Sequence, residues 1–154
     1  MLSAHPICTP AVFSHNTISS VTGTTSETTL ATVTIPAGFI LKNAVVEVWT
    51  LFQVTNSANN KTLRLKFGTS NAFTFAVTAT RSIHRFTNVY FRNSLSSQRQ
   101  HANGNNLGLG TVAATSSMSV DYSVNQTISW TGTLVDTTET ISLYGGLVII
   151  WNYE

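Results

Sequence analysis

Apolar and polar residues alternate with a period of two along most of the chain, the spacing at which successive side chains of a β-strand point to opposite faces. Residues 30–35 alternate and stop at Pro36 and Gly38, where proline removes a ladder donor and glycine lets the chain turn. Residues 45–54 make the clearest strand. Val46, Val48, Phe52 and Val54 share one face, and Val45, Trp49 and Leu51 share the other with Glu47 and Gln53, so both faces are expected to be substantially covered. After a turn at 56–60, Leu63, Leu65 and Phe67 alternate with Arg64 and Lys66 up to Gly68, a strand with one wet or partner-facing side. Phe73, Phe75 and Val77 continue the period, and residues 83–92 form a further strand with Arg85 set among apolar neighbours. Three more strands are predicted around 112–124, 127–135 and 140–153, the last bent or bulged at Gly145 and Gly146. Nowhere do apolar residues recur convincingly at i, i+3, i+4 and i+7, so little helix is expected, and no repeat of fixed period is visible.

Two segments depart from this rhythm. Residues 93–110 are rich in Asn, Gly, Ser and Gln with little apolar periodicity, and are expected to form a long exposed loop. Residues 1–27 contain Pro6, Pro10 and a Ser/Thr-rich stretch, yet Leu2, Ile7, Val12, Phe13 and Ile18 give them more apolar material than a solvated tail needs. The organisation predicted is an extended N-terminal arm over 1–27, docked on some surface, followed by one all-β domain over 28–154. That domain is expected to be a jelly-roll-like antiparallel β-sandwich, because many short strands with turn residues between them pack in that way. A chain of 154 residues leaves little room for a second core.

Composition changes this picture in one respect. Charged residues make up 9% of the chain, against about 25% in ordinary soluble domains. A surface covered with Thr, Ser and Asn rather than charge suits a subunit whose faces are occupied by neighbours, so assembly is favoured over free diffusion as a monomer. Eight Lys and Arg against six Asp and Glu give a net charge of +2, too slight an excess to argue for nucleic acid. One cysteine, Cys8, cannot form an internal disulfide, and a buried inert thiol is the simplest use for it. The first sixteen residues lack a basic start and a continuous apolar core, and no apolar run approaches the ~18 residues of a membrane span. Synthesis and folding in a cytosol are expected.

Catalytic chemistry finds little support. The acids are few and scattered except for Asp136 and Glu139, which flank Thr137 and Thr138 in a predicted turn; capping of local backbone explains them better than a carboxylate pair set across a cleft. His5, His15, His84 and His101 have no metal-ligand spacing, and a single cysteine cannot support a structural zinc site. The glycines between 104 and 110 are not followed by the amphipathic helix that phosphate or dinucleotide binding requires. No cofactor, metal or enzymatic activity is predicted. Asn60 and Asn125 begin glycosylation-like triplets that an Asn/Thr-rich chain produces by chance. Trp49, Trp130 and Trp151 lie among apolar strand residues, where core packing outweighs sugar stacking. Arg81, Arg85, Arg92 and Arg99 gather in one segment without an acid between them, as on a face that meets carboxylates of a partner.

The order of these features resembles a group of small β-sandwich domains in bacteriophage structural proteins, of the capsid decoration or cement type. Ile35, Pro36, Ala37 and Gly38 form the turn into a long strand; Lys61, Thr62, Arg64, Phe67 and Gly68 match a strand motif after an Asn/Ser turn; Asn88, Arg92, Asn93 and Gln98 match an Asn/Arg-rich segment that ends near a glutamine. The resemblance spans roughly residues 27–154. It implies a virion component, made in the host bacterial cytosol, that binds the major capsid protein as a homo-oligomer, commonly a trimer, and touches neither nucleic acid nor membrane. Members of the group also serve as fibre and tail domains, so a fibre-tip module binding a host glycan is the competing expectation. The short arm, without a long shaft beside it, favours capsid decoration. Residues expected to make capsid or subunit contacts are Leu2, Ile7, Val12 and Phe13 in the arm, with Arg81, Arg85, Arg92 and Arg99.

Overall fold

The computed structural model describes residues 10–79, 82–91, 93–100 and 116–153, with backbone alone for 82–88 and 116. These residues form an antiparallel β-sandwich. The strands are β1 (Ala11–His15), β2 (Ser19–Val21), β3 (Thr28–Ile35), β4 (Val45–Val54), β5 (Lys61–Phe67), β6 (Ser70–Val77), β7 (Ser82–Phe91), β8 (Gln98–Gln100), β9 (Ser116–Met118), β10 (Gln126–Leu134) and β11 (Ile141–Trp151). The larger sheet runs β1-β11-β4-β7-β8-β9, with β2 also paired to β11, and the smaller runs β3-β10-β5-β6. Most connections cross from one sheet to the other, the jelly-roll manner of wrapping a chain around one core.

The alternation read from the sequence decides what faces that core. In β4, β5 and β10 the even or odd set that carries Val46, Phe52, Leu63, Leu65, Phe67, Ile128 and Trp130 points between the sheets and is almost wholly buried. Pro36 ends β3, and the Phe39 amide bonds the Pro36 carbonyl at 3.2 Å across a turn in which Gly38 has φ +71°, a conformation that costs glycine nothing. β11 bulges between Leu143 and Gly145. The bulge switches parity: Ile141 and Leu143 face inward before it, Val148 and Ile150 after it, so one strand keeps its apolar residues in the core although they fall on odd and then even numbers.

Trp130 fills the centre. Its indole N–H donates to the Thr50 hydroxyl of the opposite sheet at 2.7 Å, so the polar end of a fully buried aromatic is satisfied across the sandwich. The bulge brings Gly146 against the flat of the ring, where a Cβ would stand 2.7 Å from the indole carbon Cζ2.

Three expectations are corrected. Residues 93–110 are not one exposed loop, because Gln98–Gln100 pairs with β7 as β8. Its inward residues are amides. Gln98 donates to the Val120 carbonyl at 2.8 Å and accepts from the Val120 amide at 3.0 Å, while Gln100 donates to the Ala72 carbonyl at 2.6 Å. Side-chain amides thus replace missing sheet partners at the core edge, which apolar periodicity cannot register. The strand expected over 112–124 is confined, among described residues, to Ser116–Met118, and Asp121 turns the chain by accepting from the Ser123 amide at 2.9 Å. The second face of β4 is not covered: Trp49 and Leu51 are each 38% exposed. From residue 11 onward the segment read as an arm supplies β1 and β2, both laid along β11, and Phe13 packs edge-on against Phe39 with ring centroids 5.5 Å apart. Leu2, Ile7, Cys8 and His5 lie outside the described residues, as do Arg81, Arg92 and His101.

Gly146→Ala is expected to destabilise the fold by about 1–3 kcal/mol, the usual cost of overpacking a filled core, because the rigid buried indole of Trp130 cannot move aside. Chemical denaturation of the variant beside wild type measures it; equal midpoints would show that the ring has room.

Candidate functional site: two unequal outer faces

The outer faces of the two sheets are what the described part of the sandwich offers to other molecules. The outward residues of the larger sheet line up by register. Trp151, Val45, Tyr90 and Arg99 form one row across β11, β4, β7 and β8. Val12, Ile149 and Glu47 form the next, and Ser14, Leu147 and Trp49 a third. Val12 is 56% exposed and Tyr90 47%. Glu47 is the one charge within the described part of these three rows before Arg99 at the β8 end. The described part of this surface is the most extensive run of exposed apolar side chains on the larger sheet, and so the candidate contact face.

The smaller sheet is different. Glu27 lies over β10 and β5, where its carboxylate accepts from the Thr131 hydroxyl at 2.6 Å and pairs with Lys66 at 3.0 Å and Arg64 at 3.5 Å. The Thr131 hydrogen bond, then the two cations, hold the Glu27 carboxyl below its ordinary range. A shallow cleft of about 400 Å³ opens beside it, lined by Glu27, Lys66, Ser129, Thr131 and Gly68 among others. Its walls are hydroxyls and charges. No aromatic ring is among its lining residues.

A third cluster closes one end of the sandwich. Lys61 begins β5 in register with Leu63 and Leu65, so alternation drives its side chain inward, where it is fully buried. Its ammonium donates to the carbonyls of Asn59 at 2.8 Å and Thr78 at 3.0 Å, and to the Ser57 hydroxyl, and stands 3.3 Å from the Glu139 carboxylate. Glu139 also accepts from Ser57 and, at 3.3 Å, from Asn59. The Ser57 bond most of all, with those from Lys61 and Asn59 and the Lys61 charge, pulls the Glu139 carboxyl below 4.5 against the opposing effect of burial. Asp136 does cap its turn, through the Thr138 amide at 2.9 Å, whereas Glu139 belongs to this ion pair. The signal for it was a lysine on the inward parity of a strand, which demands a buried acid.

Of the expected contact residues, Val12 is on the apolar face, while Phe13 turns inward against Phe39 and the core. Arg99 stands outward on β8, its guanidinium on the Ser117 hydroxyl. The Arg85 backbone pairs with Thr50 in β7, and its side chain lies outside the described set. Arg81 and Arg92 lie outside the described residues, so Arg99 is the one member of the four whose side chain is described. Trp130 is core, as expected, but Trp49 and Trp151 belong to the outer face. Among the described residues no three metal-ligating side chains converge.

No protein-family model and no curated protein matches the chain. Solved structures with a similar course include the VP2 subviral particle of infectious bursal disease virus, 9% identical with a TM-score of 0.42, covering 93% of this chain and 33% of that one. The virus's Gx strain gives 11% identity and a TM-score of 0.42, with 98% of this chain and 34% of that one covered. The CBM2 module of the evolved Dit of Lactobacillus casei BL23 phage J-1 gives 12% and 0.33, covering 80% of this chain and 69% of that one. This chain spans about a third of the length of the viral proteins. At these identities and scores the likenesses decide nothing about what it binds.

Glu139 contributes stability that is fully present above pH 4.5 and is lost as pH falls through its lowered folded pKa. Thermal melts from pH 7 down to pH 3 should fall below pH 4.5, and Glu139→Gln should flatten that fall. Lys61→Met, which leaves the carboxylate buried without its cation, should cost about 3 kcal/mol at pH 7; an unchanged denaturation midpoint would remove the ion pair from the stability of the fold.

Proposed function

We propose that the chain is a non-catalytic structural protein of a phage particle, a capsid decoration subunit that binds the outer capsid lattice as an oligomer and stabilises the head. The observation that carries this reading is the outer face of the larger sheet, which among its described side chains is largely apolar and nearly free of charge, on a chain that is itself poor in charge. Such a face is suited to permanent burial against protein, and in an oligomeric subunit a neighbouring copy can take it while the other surfaces of the assembled subunit meet the lattice. Its mechanism would be additive, since each contact with the lattice is modest and several copies held together multiply their attachment through effective concentration.

The ordered motifs that resemble phage decoration proteins support the same reading, and the structure says what those residues do. The turn at Pro36 and Gly38 redirects the chain, Lys61 enters the buried ion pair, Arg64 holds Glu27, and Phe67 is core. They are residues that build a fold. A resemblance borne by them speaks for the architecture more strongly than for a place on the particle, which is why the apolar face carries the weight.

The competing role, a fibre-tip module that binds a host glycan through the segment 93–110 and exposed aromatics, draws on the exposed Trp49 and Tyr90 and on the hydroxyl-lined cleft beside Glu27. Sugar sites generally add an aromatic platform to such polar groups, and the lining residues supply none.

Purified particles separate the two. Quantitative gels should show the chain in lattice stoichiometry with the major capsid protein, and particles lacking it should lose their genome at lower temperature or under milder osmotic shock. A few copies per particle, with glycan binding by the isolated protein, would sink the decoration role.

A further inference from the structure

Two charges on the apolar face have no opposite charge beside them among the described residues. Glu47 lies within it and makes no ion pair or hydrogen bond among the described residues. Arg99 lies at its β8 end and, among the described residues, bonds the Ser117 hydroxyl. Register puts both on the same side, because Val45 pairs with Tyr90 and Tyr90 with Arg99, while Glu47 is two residues from Val45. They stand two strands apart and two residues along, roughly 12 Å at ordinary strand spacings, and no ion pair joins them within the molecule.

We propose that a second copy of this chain docks on this face, its Arg99 against Glu47, with Trp49, Tyr90 and Ile149 packed between the copies. The pairing holds whether two copies exchange it reciprocally or three pass it round a ring. It deepens the role proposed above and rests on it only in taking the chain to assemble with itself.

Charge complementarity selects this occupant. Among its described side chains the face presents one acid and one base in a largely apolar field, so a copy of the same face can neutralise both, whereas a strongly charged partner would leave one opposed by its own sign. The extent is that of a small interface. Strands β11, β4 and β7, at about 4.8 Å spacing and ten residues of about 3.4 Å each, give a footprint of roughly 500 Å², to which the shorter β1 and β8 add at the sides, against the ~800 Å² of accessible surface that each partner contributes to a standard interface. Apolar burial would supply the affinity. The ion pair would supply register, since stacking Glu47 on Glu47 brings like charges together in a drying interface.

Sedimentation velocity on the full chain, over a range of concentrations and without particles, tests this. Wild type should associate; Glu47→Arg and Arg99→Glu should each weaken association about tenfold or more; and the double variant E47R/R99E should regain most of it. Trp49→Lys should also dissociate the assembly while leaving the pair intact. Thermal melts of each variant show that the subunit is folded, and any single variant that fails to fold leaves Trp49→Lys and the double swap to decide. A monomeric wild type, single variants that associate normally, or a double swap no better than its parents would overturn the proposal. Loss of the decoration role on particles would not touch this result, nor would this result touch particle stoichiometry.

Discussion

The sandwich depends on one aromatic ring being accommodated between two sheets. Trp130 reaches from β10 toward β11 and β4, and three features converge on it: the Thr50 hydroxyl that takes its N–H, the absent side chain at Gly146, and the bulge that brings Gly146 to that place. Each alone is unfavourable. A buried threonine hydroxyl needs a partner, glycine weakens a strand, and a bulge interrupts a ladder. Together they give close packing with the buried indole N–H satisfied. The same bulge restores the parity of β11, so the inward Val148 and Ile150 and the outward Leu147 and Ile149 both follow from it.

Much of the fold was legible because the chain obeys period two with few exceptions. Strands β3, β4, β5 and β10 lie within a residue or two of where alternation puts them, and Gly145 with Gly146 announced the irregularity in β11. What escaped were elements built from polar residues. Gln98 and Gln100 sit in the core with the hydrogen-bonding habits of backbone, and Lys61 is buried in an oxygen-lined cage. Alternation assigns side chains to faces without saying which face is wet, so Trp49 and Leu51 read as core although they lie on the outside. Strand order was equally closed to it, since β1 finding β11 is a matter of pairing across the 125 residues, 16–140, that separate the two strands.

The few charges are placed with economy. Three of them cluster on the smaller sheet around Glu27, two neutralise each other at the end of the sandwich, and Asp121 and Asp136 turn loops. The two sides of the molecule therefore differ in character: one can stay wet beside the polar cleft, while the other carries aromatic and aliphatic side chains in rows. A subunit with such sides has an orientation built into it, because only one arrangement removes the apolar rows from water and leaves the charged cluster in it.

The position of β11 reaches beyond packing into the order in which the molecule can form. This strand is made late, yet it lies between β4 on one edge and both β1 and β2 on the other. Until residues 141–151 have been synthesised, β1 and β2 have no ladder partner, and β4 lacks one neighbour. The smaller sheet draws on nothing later than residue 134 and can gather first. Long-range pairing of this kind is slow and exposes apolar surface while it waits. An incomplete chain consequently never presents the finished outer rows, since Trp151, Ile149 and Leu147 arrive with the strand that closes the sheet. Readiness to meet a neighbour is thereby tied to completion of the core.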